Sequence, residues 1–507
     1  MLTLSSLPVD VVVLIFESLG IREFVALSMT CRDMYTIVSE YGWSSYLRYN
    51  PRPANSLAKA RNQWPPRVRA RYDIITDSTW DHGEFIARPL SRIWNGKLQP
   101  ILASSQTRLI VSAGSNLYSY AFGTDTSFTA SPPIISEGAL SLLNNPDRPR
   151  NITALSFIDD GGLDETLDVG FQDGALERIK LIPSKSEDGS PILSCIRSRI
   201  DPMPNGDFVE SLSSESNIIL ALSSNGYARL SSNGSGSPNS EKSIHAPSSI
   251  IELNTRSWVS HLCLQASTPY AAFGTASTTP LNVHALTDGG QLSPQPLAIL
   301  HTQKTAGLTP DNFPSSAVYG LSSGPLNAPW GSSPQIIVSG WFDGQVRCYD
   351  LRSSSRVSLA SATDSTTQSG PAPLRPVLSL ADRWSYEPIY SVSCGGGSAA
   401  HIAAGTARHS VVSFWDVRSP KKGWSVHAPG NDPSPVYSII LESSRFFGAT
   451  QSRPFVYDFG PGVSLDTYPH MPQVRGVDNL KHKKGSNRAT YHVLRYDHNS
   501  SGLCNEN

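Results

Sequence analysis

Three arginines at similar places in a repeated pattern are the residues of this 507-residue chain whose type and spacing point most directly to chemistry. Arg178, Arg229 and Arg347 each follow an Asp-Gly or Asn-Gly pair by a few positions. Because a guanidinium can bind two oxygens of one phosphate or carboxylate, three converging arginines would recognise a phosphorylated or acidic peptide. The alternative is an exposed strand position that recurs without a shared role. We favour that alternative and do not assign the three arginines to a substrate site.

Sequence motifs of catalysis are absent. There is no P-loop, no HExxH, no GxSxG elbow and no dinucleotide fingerprint beside a βαβ pattern. The six cysteines are scattered without a CxxC or a Cys/His cluster, so we expect free thiols and neither a metal site nor another cofactor. Asp and Glu occur mostly at turns, where they stabilise the backbone. The sequence therefore predicts a binding protein and not an enzyme.

The composition fits a large protein rich in strands and turns. Only 16% of the residues are charged, against about 25% in an average domain. The formal net charge is −1, so no overall field attracts nucleic acid or an anionic membrane. We expect neither of them as a partner, and a location in the cytoplasm, the nucleus or both.

The N-terminal stretch LPVDVVVLIFESL (7–19) is strongly apolar but short. It falls below the ~20 residues that a membrane-spanning helix needs, and no basic residue precedes it as in a secretory signal. Pro8 and Asp10 suit the first turn of a helix. The apolar residues that recur at helical spacing are Val11, Leu14, Ile15 and Leu19. The pattern predicts an amphipathic helix whose apolar face is covered by something else.

The first fifty residues resemble an F-box, the helical module that docks substrate receptors onto the Skp adaptor of cullin–RING ubiquitin ligases. The matching features are Leu7-Pro8, the apolar run to Leu19, Phe24-x-x-Leu27, the tetrapeptide at 30–33 and Trp43-x-x-x-Leu47. The resemblance implies that eight residues form or support the adaptor-binding surface. They are Leu7, Pro8, Leu14, Ile15, Leu19, Phe24, Leu27 and Trp43. The alternative is an ordinary helical cap on the next domain.

Residues 51–90 are expected to form a linker. The stretch contains four prolines in its first part and a basic cluster interleaved with aromatic residues. The cluster consists of Arg61, Arg67, Arg69 and Arg71, with Trp64 and Tyr72 between or beside them. Its functional interpretation is contact with an acidic or phosphate-bearing partner. We favour a solvated linker anchored by its tryptophan.

Residues 91–461 consist of about seven similar units of short strands and tight turns. Asp173-Gly174, Asn225-Gly226 and Asp343-Gly344 are two-residue hairpin signals. Repeats of this length predict blades stacked in a ring. Tyr349-Asp350 and Trp415-Asp416 resemble strand endings of WD repeats, although the Gly-His dipeptide of that family is absent. Kelch blades fit less well because the Gly-Gly pairs do not share one repeat position. The predicted fold is mostly β, a seven-bladed WD-like β-propeller preceded by a small all-α F-box domain.

Ser-, Pro- and Gly-rich stretches separate several of these units. We expect surface loops at 123–150, 231–257, 287–315 and 353–387. Residues 462–507 are expected to be a basic, irregular tail with KHKK at 481–484 and a candidate last strand, YHVLRYD, at 491–497.

Together these features predict a substrate receptor of an SCF-type ligase. The F-box would bind the Skp adaptor and through it a cullin–RING scaffold, while the propeller holds an unknown protein substrate, phosphorylated or not. Tethering would raise the local concentration of substrate lysines at the transfer centre. One alternative is a receptor of a cullin-4 ligase, because YDLR (349–352) and WDVR (415–418) resemble the endings that dock on its adaptor. The others are a WD-repeat scaffold outside any ligase, and an enzymatic propeller.

Overall fold

The protein has a helical N-terminal part followed by a large β part. The computed structural model describes residue 4 and residues 7–124, 130–143, 150–232, 249–287, 289–302, 312–356, 371, 373–430, 433–470 and 490–498. KHKK at 481–484 lies outside the described residues. Within them, no helix has the length and apolarity that crossing a membrane requires. Nor do these residues group three or more potential metal-binding side chains.

Four helices form the first fifty residues. They are α1 (Val9–Phe16), α2 (Ile21–Ser28), α3 (Arg32–Ile37) and α4 (Trp43–Tyr49), with a π-helical turn (Val38–Gly42) joining the last two. As predicted, α1 follows Pro8 and carries Asp10 in its first turn. Gly42 lies so close to Phe24 that a Cβ at this position would be 3.0 Å from the ring. The π-helical turn therefore packs directly on the core of this helical module.

Residues 51–90 differ from the expected linker because they fold into two helices and a strand. These elements are α5 (Asn55–Arg61), α6 (Pro66–His82) and β1 (Ile86–Pro89). Pro66 occupies the first turn of α6, where proline is tolerated, so the proline pair begins a helix and does not break one. Gly83 ends α6 with φ +62°, a conformation that favours glycine. We refer to α5 and α6 as the bridge helices.

The remaining strands of the described part of the chain form antiparallel sheets, and five of these sheets each form one blade. Three have consecutive strands. They are β2 (Ile101–Ser104), β3 (Arg108–Ala113), β4 (Asn116–Phe122) and β5 (Ile134–Ser141); β6 (Ile152–Phe157), β7 (Thr166–Phe171), β8 (Leu176–Lys185) and β9 (Pro191–Ile200); and β10 (Val209–Glu215), β11 (Ile218–Ser223), β12 (Tyr227–Ser232) and β13 (Ser249–Glu252).

The other two single-blade sheets recruit a strand from a distant part of the chain. One contains β22 (Ile389–Gly395), β23 (His401–Thr406), β24 (Val411–Asp416), β25 (Gly423–His427) and the tail strand β29 (Arg495–Asp497). The other contains β26 (Val436–Leu441), β27 (Arg445–Thr450) and β28 (Pro454–Asp458), with β1 as its fourth strand. Because β1 precedes the first blade in sequence and completes the last one, it ties the two ends of the β part together.

The sixth sheet has eight strands. They are β14 (Ser257–Cys263), β15 (Tyr270–Ser277), β16 (Leu281–Leu286), β17 (Leu292–Leu300), β18 (Ser316–Ser323), β19 (Ile336–Trp341), β20 (Gln345–Asp350) and β21 (Leu378–Ala381). Only two residue pairs, Ala276–Ala317 and Ser277–Ser316, join β15 to β18. The sheets therefore number six in the described part of the chain, five single blades and one eight-stranded sheet, and not the seven separate blades that we predicted.

The sheets are arranged as a β-propeller. The strands that begin each four-stranded run pack against one another in order, from β2 through β6, β10, β14, β18 and β22 to β26, and β26 contacts β2. The three predicted hairpin turns are present, between β7 and β8, β11 and β12, and β19 and β20. The prediction of a mostly β protein with a propeller behind a helical N-terminal module is confirmed.

The Ser/Pro/Gly-rich stretches that we expected to be loops also contain strands. The outer strands β5, β13, β17 and β21 lie wholly or mainly inside the four stretches. An outer strand exposes much of its surface, so its sequence lacks a continuous apolar pattern and resembles a loop. The tail contributes β29, which pairs with β25 within the segment predicted as a last strand.

Candidate partner-docking surfaces

The helical module has an aromatic core that holds its helices together. Phe24 is fully buried, and its ring centroid lies 5.2 Å from that of Phe16 and 5.8 Å from that of Trp43. Trp43 is also buried. Of the eight residues predicted to form or support the adaptor surface, Phe24 and Trp43 therefore lie inside the module, where they position the helices and have little surface for a partner.

The remaining predicted residues are divided between support and exposed surface. Leu7, Leu19 and Leu27 are half-buried against the aromatic core. Ile15 is half-buried, whereas Pro8 is exposed and Leu14 is 62% exposed. Two further apolar residues that were not selected from the sequence are also exposed, Val25 of α2 and, at 80%, Met29 directly after α2. The module thus presents apolar side chains to solvent from both α1 and α2.

The comparison with family models decides what this module is. Residues 4–42 match the model of the F-box domain. The chain carries an F-box domain. The match covers α1, α2, α3 and the π-helical turn, so the exposed Leu14 and Met29 both lie within the F-box domain.

Comparisons with curated sequences and with solved structures identify no further family for the chain. No curated protein matches the chain in sequence. Among solved structures, Chaetomium thermophilum Sqt1 bound to the N-terminus of ribosomal protein L10 is 12% identical, over 70% of this chain and 81% of that chain, with a TM-score of 0.42. Chaetomium thermophilum Raptor is 12% identical over 75% of this chain but only 30% of its own, with a TM-score of 0.45. The assignment of the propeller therefore depends on the sheet arrangement described above.

The F-box domain is joined to helix α6 by packing and by buried charges. Ala70 of α6 belongs to the same core as Phe24. Arg52 donates to Asp77 with an Nη2–Oδ2 distance of 2.9 Å, and its Nε lies 3.6 Å from the Asp73 carboxylate. Burial alone would lower the pKa of Arg52, but the hydrogen bond to Asp77 and the charge of Asp73 outweigh burial and raise it. Asp73 also binds Arg61, so one residue of the basic cluster is used inside the protein.

The bridge helices are bonded to the turn between β26 and β27. The backbone N–H of Ser56 donates to the Glu442 carboxylate at 3.1 Å, and the Ser56 hydroxyl donates to it as well. Burial raises the pKa of Glu442, while the hydrogen bonds from Ser56 oppose that effect. The N–H of Ser443 donates to the Pro53 carbonyl at 2.7 Å, and Trp80 Nε1 donates to the Ser443 carbonyl at 2.9 Å. These bonds fix the bridge helices on one face of the propeller.

A buried charge network extends the same junction. Arg445 and Asp458 are fully buried, and Arg445 Nε lies 3.2 Å from Asp458 Oδ2. The Tyr468 hydroxyl donates to the same carboxylate oxygen at 2.5 Å. Tyr72 of α6 bonds to Ser131 at 3.0 Å, and burial raises its pKa to about 12. Ser131 in turn donates to Asp458 at 3.3 Å, so Asp458 connects α6 to the last blade.

Arg178, Arg229 and Arg347 each bind a partner in their own region of the propeller. Arg178 binds Asp168 with an Nε–Oδ1 distance of 2.9 Å, and Arg347 binds Asp343 with an Nη2–Oδ2 distance of 2.6 Å. Arg229 donates to the carbonyls of residues 201 and 202. The structure does not join them into one cluster.

The two aromatic–Asp–x–Arg endings form compact ion pairs. Arg352 binds Asp350 through two donors at 2.8 Å, and Arg418 binds Asp416 with an Nη2–Oδ2 distance of 2.7 Å. Both pairs follow the third strand of a blade, which ends at the face that carries the bridge helices. The negative charges of two α6 carboxylates help to raise the pKa of Arg418, after the hydrogen bond to Asp416. Helix α6 therefore lies beside the second of these endings, WDVR (415–418).

The sequence interpretation missed a set of aromatic side chains at the opposite end of the first strands. We call Trp258, Tyr319, Tyr390 and Tyr437 the aromatic arc. Each lies at a β-bulge near the start of β14, β18, β22 or β26. The sequence contains a sign of this arrangement, because four successive apolar stretches begin with an aromatic residue at their first or second position. They are WVS (258–260), VYG (318–320), IYS (389–391) and VYS (436–438). The four aromatic residues become neighbours only in the closed propeller, where their strands lie side by side.

Proposed function

We propose that this protein is the substrate receptor of an SCF-type cullin–RING ubiquitin ligase, in which the F-box domain binds the Skp adaptor and the propeller binds a substrate protein. The observation that carries the proposal is the F-box match at residues 4–42, in a domain that is bonded through the bridge helices to a propeller. Its role would be binding, not catalysis, in the cytoplasm or the nucleus.

The exposed apolar side chains of the F-box domain support the adaptor assignment. Leu14 on α1 and Met29 at the end of α2 are largely exposed although both are apolar. Exposed apolar groups rimmed by polar residues are typical of protein-docking sites. We propose that these two residues, with Pro8 and Ile15, contact the adaptor, while Leu7, Leu19, Phe24, Leu27 and Trp43 support the surface from below.

The bonded junction between the helices and the propeller supports a presenting role. A receptor accelerates ubiquitin transfer by holding substrate lysines near the charged partner, and this effect depends on a defined geometry. The contacts of Trp80, Ser56 and Arg52 fix the F-box domain relative to the propeller. A substrate on the propeller would therefore be held at a defined position relative to the adaptor.

We further propose that the propeller has seven blades. The eight-stranded sheet divides into β14–β17 and β18–β21, two antiparallel runs of four strands joined by only two residue pairs. Counting each run as a blade gives one blade for every inner strand of the ring. In this division residues 1–50 are the F-box domain and residues 51–82 a helical bridge, and the propeller begins at β1.

The cullin-4 alternative is less well supported by the geometry. Arg352 and Arg418 are bound to the aspartates of their own turns, and α6 lies on the same propeller face. A second adaptor approaching this face would meet the bridge helices. A scaffold outside any ligase leaves the F-box match without a role.

Co-purification with the two adaptors tests the proposal. The full chain, tagged at its C-terminus, is expressed with the Skp adaptor or with the cullin-4 adaptor in separate preparations. We expect a stoichiometric complex with the Skp adaptor alone. A complex with only the cullin-4 adaptor, or with neither, would contradict the proposed function.

A further inference from the structure

The aromatic arc forms a continuous surface across four neighbouring inner strands. The ring centroids of Trp258 and Tyr319 are 5.1 Å apart, those of Tyr319 and Tyr390 5.3 Å, and those of Tyr390 and Tyr437 5.9 Å. All four side chains are half-buried, so each ring is fixed by neighbours and still has an accessible part. Phe342, which is 56% exposed, extends the arc from the turn after β19, with its ring centroid 6.5 Å from that of Tyr319.

The arc lies on the propeller face opposite the bridge helices. Its members are near the first residues of their strands, whereas the bridge helices bind the turn that follows the last residue of β26. A six-residue strand such as β26 is about 20 Å long. The arc and the F-box domain therefore occupy opposite ends of the propeller, and a partner can reach one while the adaptor holds the other.

Beside the arc, the ring contains a cavity of about 470 Å³ with a mixed polar and apolar lining. Its lining includes Trp258 and Tyr437 together with Thr153, Glu210 and Arg256. Thr153 and Glu210 occupy the bulge positions of β6 and β10 that correspond to those of the arc. The opening of the propeller is thus aromatic on one side, while the other side combines polar and apolar residues.

The arginine at this opening is paired within the protein, whereas Lys97, which also lines the cavity, is exposed. The Arg256 guanidinium lies 4.0 Å from the centroid of the Trp258 ring, and its Nη2 lies 2.9 Å from Glu210 Oε2. The cation that touches the arc is therefore already paired. Recognition of phosphate requires arginines that remain available for bidentate bonds, and Arg178 and Arg347 are both bound to aspartates. An aromatic surface whose adjoining arginine is already paired complements an uncharged ligand.

We propose that the aromatic arc binds an uncharged, proline-containing segment of the substrate in the extended polyproline II conformation, an inference that rests on the proposed receptor function. Aromatic grooves recognise such segments because a polyproline II chain is ordered before it binds and loses little entropy. Its rise of about 3.1 Å per residue makes two residues about 6 Å long, close to the ring-to-ring steps of the arc. Trp and Tyr are also the residues that most often carry the binding energy of protein interfaces.

A positional peptide library tests this substrate class with the full chain and no adaptor. The probe is a set of immobilised ten-residue degenerate peptides, each pool with one position fixed as proline, arginine, aspartate, leucine or phosphoserine. We expect the proline pools to retain at least tenfold more protein than the others. Tyr319→Ala combined with Tyr390→Ala should reduce that retention at least tenfold, whereas Tyr319→Phe combined with Tyr390→Phe, which keeps the rings, should retain it.

Two controls make the result decisive. Tyr35→Ala removes an exposed tyrosine of the F-box domain and should bind the proline pools like the wild type. Leu14→Asp combined with Met29→Asp should also bind them normally, so loss of adaptor binding is distinguished from loss of the arc. Preference for the phosphoserine, aspartate or arginine pools, equal binding to all pools, or unchanged binding by the alanine variant would overturn the inference.

Discussion

Trp80 of α6 stacks on Phe459 of the propeller with ring centroids 3.7 Å apart and ring planes inclined by 11°. The indole also lies over the turn between β22 and β23, where a Cβ at either Gly396 or Gly397 would come within 3.1 Å of it. Its Nε1 donates to Ser443 between β26 and β27. One side chain thus attaches the bridge helices to two blades.

Replacing this side chain tests that link. Trp80→Ala removes a buried aromatic ring and leaves a cavity, which costs about 3–5 kcal/mol in comparable cores. We expect a lower melting temperature and rapid proteolytic cleavage between the F-box domain and the propeller. Tyr386→Ala, at a site that is 83% exposed, is the matched control and should melt like the wild type. Equal stability of the two variants would show that the bridge is not held by Trp80.

The buried pair of Arg445 and Asp458 gives a second prediction. Asp458→Asn leaves the Arg445 charge buried without its partner, and breaking such a pair costs about 3–5 kcal/mol. Combining Asp458→Asn with Arg445→Met removes the orphaned charge and should recover part of the loss. Denaturant unfolding of the single and double variants measures both effects, with Asp466→Asn, at an exposed position, as the control. A double variant less stable than the single one would contradict this account of the network.

Buried histidines predict that the protein loses stability in mild acid. His301 Nδ1 accepts the Thr302 N–H at 2.8 Å and its Nε2 faces the Thr278 carbonyl, so the folded state requires the neutral ring. Burial lowers the pKa values of His284, His301 and His401, and lowers that of His261 to about 4. Unfolded histidines bind protons near pH 6.5, so the unfolded state holds more protons below that pH. Stability therefore falls as the pH is lowered from 6.5 towards 4.

Thermal melts at pH 7.5 and pH 5 measure this dependence. We expect a lower melting temperature at pH 5, and a smaller difference between the two pH values for His301→Gln, because the variant cannot be protonated at this site. His470→Gln, which changes an exposed histidine, should keep the wild-type difference. A melting temperature that rises on acidification would be incompatible with neutral buried rings.

Features set by local sequence were predictable, and those set by the closed ring were not. Pro8 and Asp10 marked the start of α1, and Asp173-Gly174 marked a hairpin, because these effects act within a few residues. Residues 51–90 resembled a linker because prolines and arginines dominate their composition. The partner of Arg61 is Asp73 on the next helix, and Trp80 contacts blades more than 300 residues away. Composition carries no information about such contacts.

The candidate sites were likewise predictable only where their residues lie close together in the sequence. The F-box was recognisable because its spacing lies within one stretch of chain, but its sequence did not separate the buried Phe24 from the exposed Leu14. The aromatic arc brings together residues from 258 to 437 that become neighbours only when the blades close into a ring. The aromatic residues at the start of four of the first strands could be seen in the sequence, whereas their position at the propeller opening could not.

The affinity of the full chain for the purified Skp adaptor tests the central claim most directly. Leu14→Asp combined with Met29→Asp places two charges on the exposed apolar surface and should weaken binding at least tenfold, with an unchanged melting temperature. Leu163→Asp, at a propeller position 56% exposed, is the matched control and should bind like the wild type. If the double variant binds the adaptor as tightly as the Leu163→Asp control, or if the wild type does not bind at all, the account of this protein as an F-box receptor is contradicted.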